Sequence, residues 1–108
     1  MGEGLGEFEQ LVMLALLRLG DAAYGVAIHQ EIENRTGRDV ALGAVYKTLA
    51  RLEAKGLIGA YTGEPTAERG GRRKRHYTIL PAGRVALSRN ISLIRRMTAG
   101  LAAGYEIP

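Results

Sequence analysis

The apolar residues of this chain change their spacing twice, at Gly56 and at Pro81, and that alternation leaves few folds open. Up to Gly56 they recur every three or four residues, as in helices packed on one side. Between Leu57 and Leu80 they fall into two short runs around a loop bearing Gly63, Pro65, Gly70 and Gly71, and beyond Pro81 the helical spacing returns. Two short strands about such a loop form one hairpin, which is too small to stand alone and must lie against helices. The expectation is a mainly α fold with a small β-hairpin, in a chain of 108 residues that suits one core and gains from a partner chain.

Each helix has readable ends. Glu7 to Leu19 opens with acids and stops before Gly20; Phe8, Leu11, Val12, Ala15, Leu16 and Leu19 form one apolar stripe, and Met13, Leu14 and Leu17 a second. A helix apolar on two sides must be covered on two sides, so the second stripe is expected to meet another subunit. Asp21 is placed to cap a second helix from about Ala22 to Arg35, with Ile28 and Ile32 inward and Gly37 ending it. A third runs from about Gly43 to Lys55, with Val45, Leu49 and Leu52 inward, Ala44, Lys47, Arg51 and Lys55 outward, and Gly56 closing it. Strands are expected at Leu57 to Thr62 and Arg73 to Leu80. Pro81 then opens a last helix to roughly Ala103, whose Leu87, Ile91, Ile94, Thr98, Leu101 and Tyr105 alternate spacings of four and three like a coiled-coil seam. At about 1.5 Å per residue such a helix exceeds what so small a domain can cover.

Charge divides the chain. Residues 1–56 hold six Lys/Arg against eight Asp/Glu and residues 57–108 nine against three, so a net +4 is made of −2 and +6. From Arg69 to Arg96 there are nine cations and no carboxylate. A single basic run is usually a solvated loop, but this one tips a hairpin that follows two helices joined by a tight glycine-containing turn, which is the order of a winged helix-turn-helix. In that arrangement Gly43 and Ala44 let the third helix seat in a major groove, Lys47, Thr48 and Arg51 reach bases or phosphates, Tyr46 either sets its hydroxyl on a phosphate while its ring leans on the second helix or simply packs, and Arg72, Arg73, Lys74 and Arg75 grip the backbone. Catalysis has little support: Ser88 and Ser92 lie within a helix, and His29 and His76 lack an evident carboxylate partner. With no cysteine and two histidines, no metal or cofactor is expected. The absence of a long apolar run, signal peptide or lipidation motif points to a cytoplasmic protein without membrane contact.

Taken together, Tyr24-Gly25, Gly43-Ala44-Val45-Tyr46 with Leu49, Arg51-Leu52-Glu53-Ala54-Lys55-Gly56-Leu57-Ile58, and Gly71-Arg72-Arg73-Lys74-Arg75-His76-Tyr77 leading to Gly83 resemble the PadR family of winged-helix transcriptional regulators over residues 7 to about 90. The resemblance implies DNA contact by Tyr24, Tyr46, Lys47 and the hairpin cations, and a homodimer through the first and last helices that represses from a palindromic operator. The short single C-terminal helix is similar to that of the short subgroup. Where relatives carry a Ser near Ala41 and a Thr or Ser near Leu80 this chain has lost both caps, each worth about 1 kcal/mol.

The expected layout is therefore residues 1–80 as a winged helix-turn-helix and 81–108 as a dimerisation helix. Its interface would hold Met13, Leu14, Leu17, Leu87, Ile91, Ile94, Thr98 and Leu101, and its partners would be double-stranded DNA, a second copy and an effector that the residues do not name. A winged-helix protein-interaction module and a small-molecule-binding dimer without an operator remain the alternatives.

Overall fold

The structure, a computed structural model, describes residues 4–63 and 74–101. Four helices and one hairpin follow in the expected order: α1 Glu7–Leu19, α2 Gly25–Thr36, α3 Leu42–Ala54, β1 Ile58–Thr62, β2 Arg75–Ile79 and α4 Pro81–Thr98. Residues 64–73, Arg72 and Arg73 of the expected hairpin tip among them, lie outside the described residues, as does Tyr105.

Local chemistry explains most boundaries. The Glu9 carboxylate accepts the Gly6 N–H at 2.9 Å, satisfying an amide that α1 itself cannot use. Gly37 and Gly56 take φ of 73° and 75°, a left-handed backbone that stops α2 and follows α3 without the strain a side chain would add. One expectation fails at the start of α2. Asp21 does not cap it; residues Gly20–Ala22 form a separate 3-10 turn, and Tyr24 occupies the capping position with no side-chain bond. The reason lies in β2: the Tyr77 N–H donates to the Ala23 carbonyl at 2.9 Å, and Tyr24 bridges His76. The segment before α2 thus becomes a one-rung third strand.

The sheet pairs antiparallel, Ile58 opposite Ile79 and Ala60 opposite Tyr77. Its inner face delivers Ile58 and Tyr77 to the core, where they join Val12, Met13, Leu16, Ile28, Ile32, Val45, Leu49, Leu52 and Leu87. Removing each fully buried aliphatic side chain from water contributes about 1.5–3 kcal/mol. α4 is seated by contact at its start: a Cβ on Gly83 would overlap the Leu57 carbonyl, and the Leu80 N–H donates to that same oxygen at 3.0 Å.

Two residues expected at a subunit interface belong to this core. Met13 is 0% exposed and Leu87 3%, because α1 packs against α2, α3, β2 and α4 at once and most of its circumference is covered within one chain. The stripe left uncovered is narrower: Leu14 is half-buried and Leu17 exposed. On α4 the exposed apolar residues are Val85 near its start and Leu93, Ile94 (60%) and Met97 (76%) toward its end, and Leu101, just past the helix, is exposed as well. Ile91 is half-buried and Thr98 exposed. Leu93 and Met97 were not expected, since tracing one seam of alternating spacing passes over the neighbouring column of a broad apolar stripe. The helix ends at Thr98, short of Ala103, and Leu101 turns back with its N–H on the Thr98 carbonyl.

Candidate nucleic-acid interface

α3 is held from within by Val45, Leu49 and Leu52 and leaves an outward ridge of Gly43, Lys47, Ala50 and Ala54, all exposed and spaced four, three and four apart. The ridge is low, since three of its four members carry at most a methyl group. Ala50 and Ala54 were not singled out from the sequence, where alanine on a helix carries no chemical signal. Their meaning comes only from facing away from the core.

One flank of the ridge runs toward α2 and the hairpin. The Tyr46 ring lies so close over Gly25 that a Cβ there would overlap it, which explains a glycine as the first residue of α2 despite its weak helix propensity. A groove of about 590 Å³ follows, lined by Tyr24, Gly25, Gln30, Tyr46, Lys74 and Arg75. Gly25 and Val26, the first residues of α2, line it, and the first amides of a helix have no partner within it and carry the positive end of its dipole. Lys74 holds its ammonium 4.1 Å from the centre of the Tyr24 ring. Arg75 donates to Glu53 of α3 at 2.9 Å, so β2 and the recognition-helix candidate are joined side chain to side chain.

The other flank meets α1. Glu9, almost wholly buried, accepts from Lys55 at 2.9 Å and lies 3.9 Å from Arg51. Burial pushes its carboxyl up, but the Gly6 amide, the Lys55 ammonium and the Arg51 guanidinium outweigh that and hold it below the usual carboxylate range. Arg51 therefore sits on the α1 side of α3 with half its side chain still exposed.

Several expected residues land elsewhere. Thr48 is 4% exposed and turned inward between Val45 and Leu49, so it reaches neither bases nor phosphates from this position. Three residues after Val45 on a helix is the core side, and its polarity masked that. Tyr46 is exposed with its ring on α2, a position that suits both of its readings. Gly43 is open and Ala44 half-buried. His29, expected to lack a carboxylate partner, has one. His29 sits 3.5 Å from Glu33 and 2.6 Å from the Val40 carbonyl. His76 stacks on Tyr61 at 5.3 Å and meets Tyr24 edge-on at 5.7 Å, with its Nδ1 buried and unpartnered. Among the described residues no three His, Cys, Asp or Glu side chains gather as a metal site, and no helix is long and apolar enough to cross a membrane.

Comparison with known proteins supplies an independent frame. Residues 13–89 match the Transcriptional regulator PadR-like family. An uncharacterized 37.1 kDa protein in transposon TN4556 of Streptomyces fradiae is 38% identical over 87 residues; that stretch is 80% of this chain and 23% of the relative, so the chain spans about a quarter of that protein's length. Solved structures share the fold, two of them nearly along their whole length. A transcriptional regulator from Clostridium thermocellum superimposes with a TM-score of 0.69 at 22% identity, covering 91% of this chain and 92% of that one. A PadR family transcription regulator from Clostridium difficile R20291 does so with a TM-score of 0.61 at 23% identity, covering 86% and 99%.

Proposed function

This chain belongs to the transcriptional regulator PadR-like family, and from that membership we propose that it is a sequence-specific DNA-binding regulator, a repressor acting as a homodimer on a palindromic operator. The observation that carries the reading is the outward ridge of α3, low enough to enter a major groove and flanked by cations on both sides. Residues 1–80 serve as the DNA-binding unit and residues 81–108, with the outer side of α1, as the dimerising one.

Gly43 and Ala44 allow close approach of the first turn, Lys47 reaches a base edge such as guanine O6 or N7, and the methyl groups of Ala50 and Ala54 face thymine methyls. Tyr24, the Tyr46 hydroxyl, Lys74 and the first amides of α2 receive one phosphate of the adjoining backbone. Arg72, Arg73 and Arg75 extend that grip along the strand, and each phosphate neutralised releases counterions. The dimer is closed by Leu14, Leu17, Ile91, Ile94, Thr98 and Leu101 together with Leu93 and Met97, whose exposed apolar surface is otherwise unfavourable in water. A twofold axis between the subunits then spaces two half-sites about one helical turn, roughly 34 Å, apart.

Selection of bound duplexes from a random DNA pool at two salt concentrations tests the proposal. A palindromic consensus is expected, with affinity falling steeply as salt rises. Bound pools without a consensus would remove sequence recognition, and a consensus without symmetry would remove the homodimer.

A further inference from the structure

The first turn of α3 is weak by its own sequence. Ala41, in the capping position, has a methyl group that accepts no hydrogen bond, and Gly43, the second residue of the helix, is a poorer helix former than alanine. The residue before the cap is held instead by α2. The Val40 N–H donates to Glu33 Oε2 at 2.9 Å, and His29 Nε2 lies 2.6 Å from the Val40 carbonyl oxygen. A carbonyl only accepts, so the imidazole donates there. Glu33 and His29 stand one helical turn apart and 3.5 Å from each other. Both backbone groups of one residue are thus clamped by two adjoining side chains. The other side-chain ties in this turn hold Arg38: its N–H meets Thr36 Oγ1 at 3.1 Å and its guanidinium meets Glu7 at 2.7 Å. Between Gly37 and Leu42, the clamp on Val40 is the tie nearest to α3.

We infer that His29 and Glu33 are positioning residues for DNA recognition: they stand in for the missing cap and fix the direction in which α3 leaves the turn. The inference rests on α3 being the reading helix. Base contacts require an ordered first turn, because Gly43, Ala44 and Lys47 must arrive together, whereas general attraction to phosphates needs only the cations. Loosening the clamp therefore reduces discrimination between sequences more than it reduces binding to any one of them.

Four variants test this: Glu33→Ala, His29→Ala, Glu33→Gln, and Glu33→Ala combined with Ala41→Ser. Two quantities are measured: amide hydrogen exchange at Ala44 and Val45 without DNA, and affinity for a duplex selected by the wild type against a scrambled duplex. Glu33→Ala and His29→Ala are expected to speed exchange at those amides and to lower the affinity for the selected duplex about tenfold, equivalent to 1.4 kcal/mol, with little change on the scrambled one. Glu33→Gln, whose amide oxygen still accepts from Val40, should stay near wild type, and Ala41→Ser should restore most of what Glu33→Ala loses. Unchanged exchange, equal loss on both duplexes, or failure of Ala41→Ser to restore discrimination would overturn the inference. A wild type that selects no duplex overturns the DNA reading instead, and the exchange measurement still decides whether the clamp orders α3. Should Glu33→Ala not fold, His29→Ala carries the same comparison.

Discussion

α3 and α4 both turn a face to solvent, and the two faces are opposite in kind. On α3 the exposed ridge is made of Gly43, Lys47, Ala50 and Ala54, with Leu42, Tyr46 and Arg51 exposed on its flanks; on α4 the exposed residues include Leu93, Ile94 and Met97. Their anchoring differs as well. α3 is buried along its length by Val45, Leu49 and Leu52 and tied to α1 through Glu9 and to β2 through Glu53, whereas α4 is seated at its start by Gly83 and Leu87 and reaches past the domain. A low cationic ridge on a rigid base suits a polyanion with a groove. A projecting row of large apolar groups suits another apolar surface, since such a row left in water is unfavourable. Exposure alone therefore says little about a helix; the proposed reading role of α3 and assembling role of α4 rest on each helix's chemistry and anchoring.

The contrast can be broken from either side. The largest effect is expected for Ile94→Asp with Met97→Asp, because two apolar side chains per subunit leave the proposed dimer interface at about 1.5–3 kcal/mol each and charges replace them. Sedimentation should show the dimer dissociating by a thousandfold or more on the order of these magnitudes, while the circular dichroism of each subunit stays unchanged. A dimer that survives would show that the end of α4 assembles nothing. Next is Ala50→Glu, which raises an acid on the ridge. Losing a well-fitted groove contact is worth about 1–3 kcal/mol, so duplex affinity should fall up to about a hundredfold with the dimer intact. Wild-type affinity in that variant would take the ridge out of the groove.

Smaller effects sharpen the anchoring. Glu9→Gln removes the charge that holds Lys55 and Arg51 against α1 and should lower stability by about 1–2 kcal/mol in urea unfolding at neutral pH. The pH dependence has a definite sign. Because the Glu9 carboxyl is held below its ordinary range when folded, its contribution is complete above the unfolded carboxyl's pKa and is lost as pH falls through the lower folded value. The gap between wild type and Glu9→Gln should therefore close on acidification, and a gap that stays constant would assign the effect to packing. The least effect on stability is expected for Lys74→Ala, which should lower the slope of log affinity against log salt by about 0.9 if one phosphate contact is lost.

What the sequence made legible was whatever one residue decides locally. Glycine at 37 and 56, the acids at the start of α1 and proline at 81 marked ends of helices correctly, and the helix-helix-helix-hairpin-helix order followed from apolar spacing alone. What it concealed depended on which neighbour covers a face. Met13 and Leu87 carry the same apolar signal whether a subunit or the same chain buries them, and it is the convergence of four elements on α1 that decides. Thr48 has a polar group that suggested exposure, yet its position on α3 is inward. Asp21 has the right chemistry for a cap, but pairing of Ala23 and Tyr24 with β2 claims the segment first. His29 and Glu33 are an ordinary pair one turn apart until the chain folds Val40 back between them. The small residues of the ridge, Ala50 and Ala54, were silent for the same reason: alanine gains meaning only from what its surroundings leave open.

The proposed division of labour between α3 and the hairpin is tested most directly by one comparison: the affinities of Lys47→Ala and Lys74→Ala, each measured on the duplex selected by the wild type and on a scrambled duplex of equal length. Lys47→Ala should lose affinity mainly on the selected duplex, shrinking the ratio between the two, while Lys74→Ala should weaken both alike and leave the ratio intact. Equal weakening on both duplexes by both variants would contradict it, making α3 one more hand on the phosphate backbone.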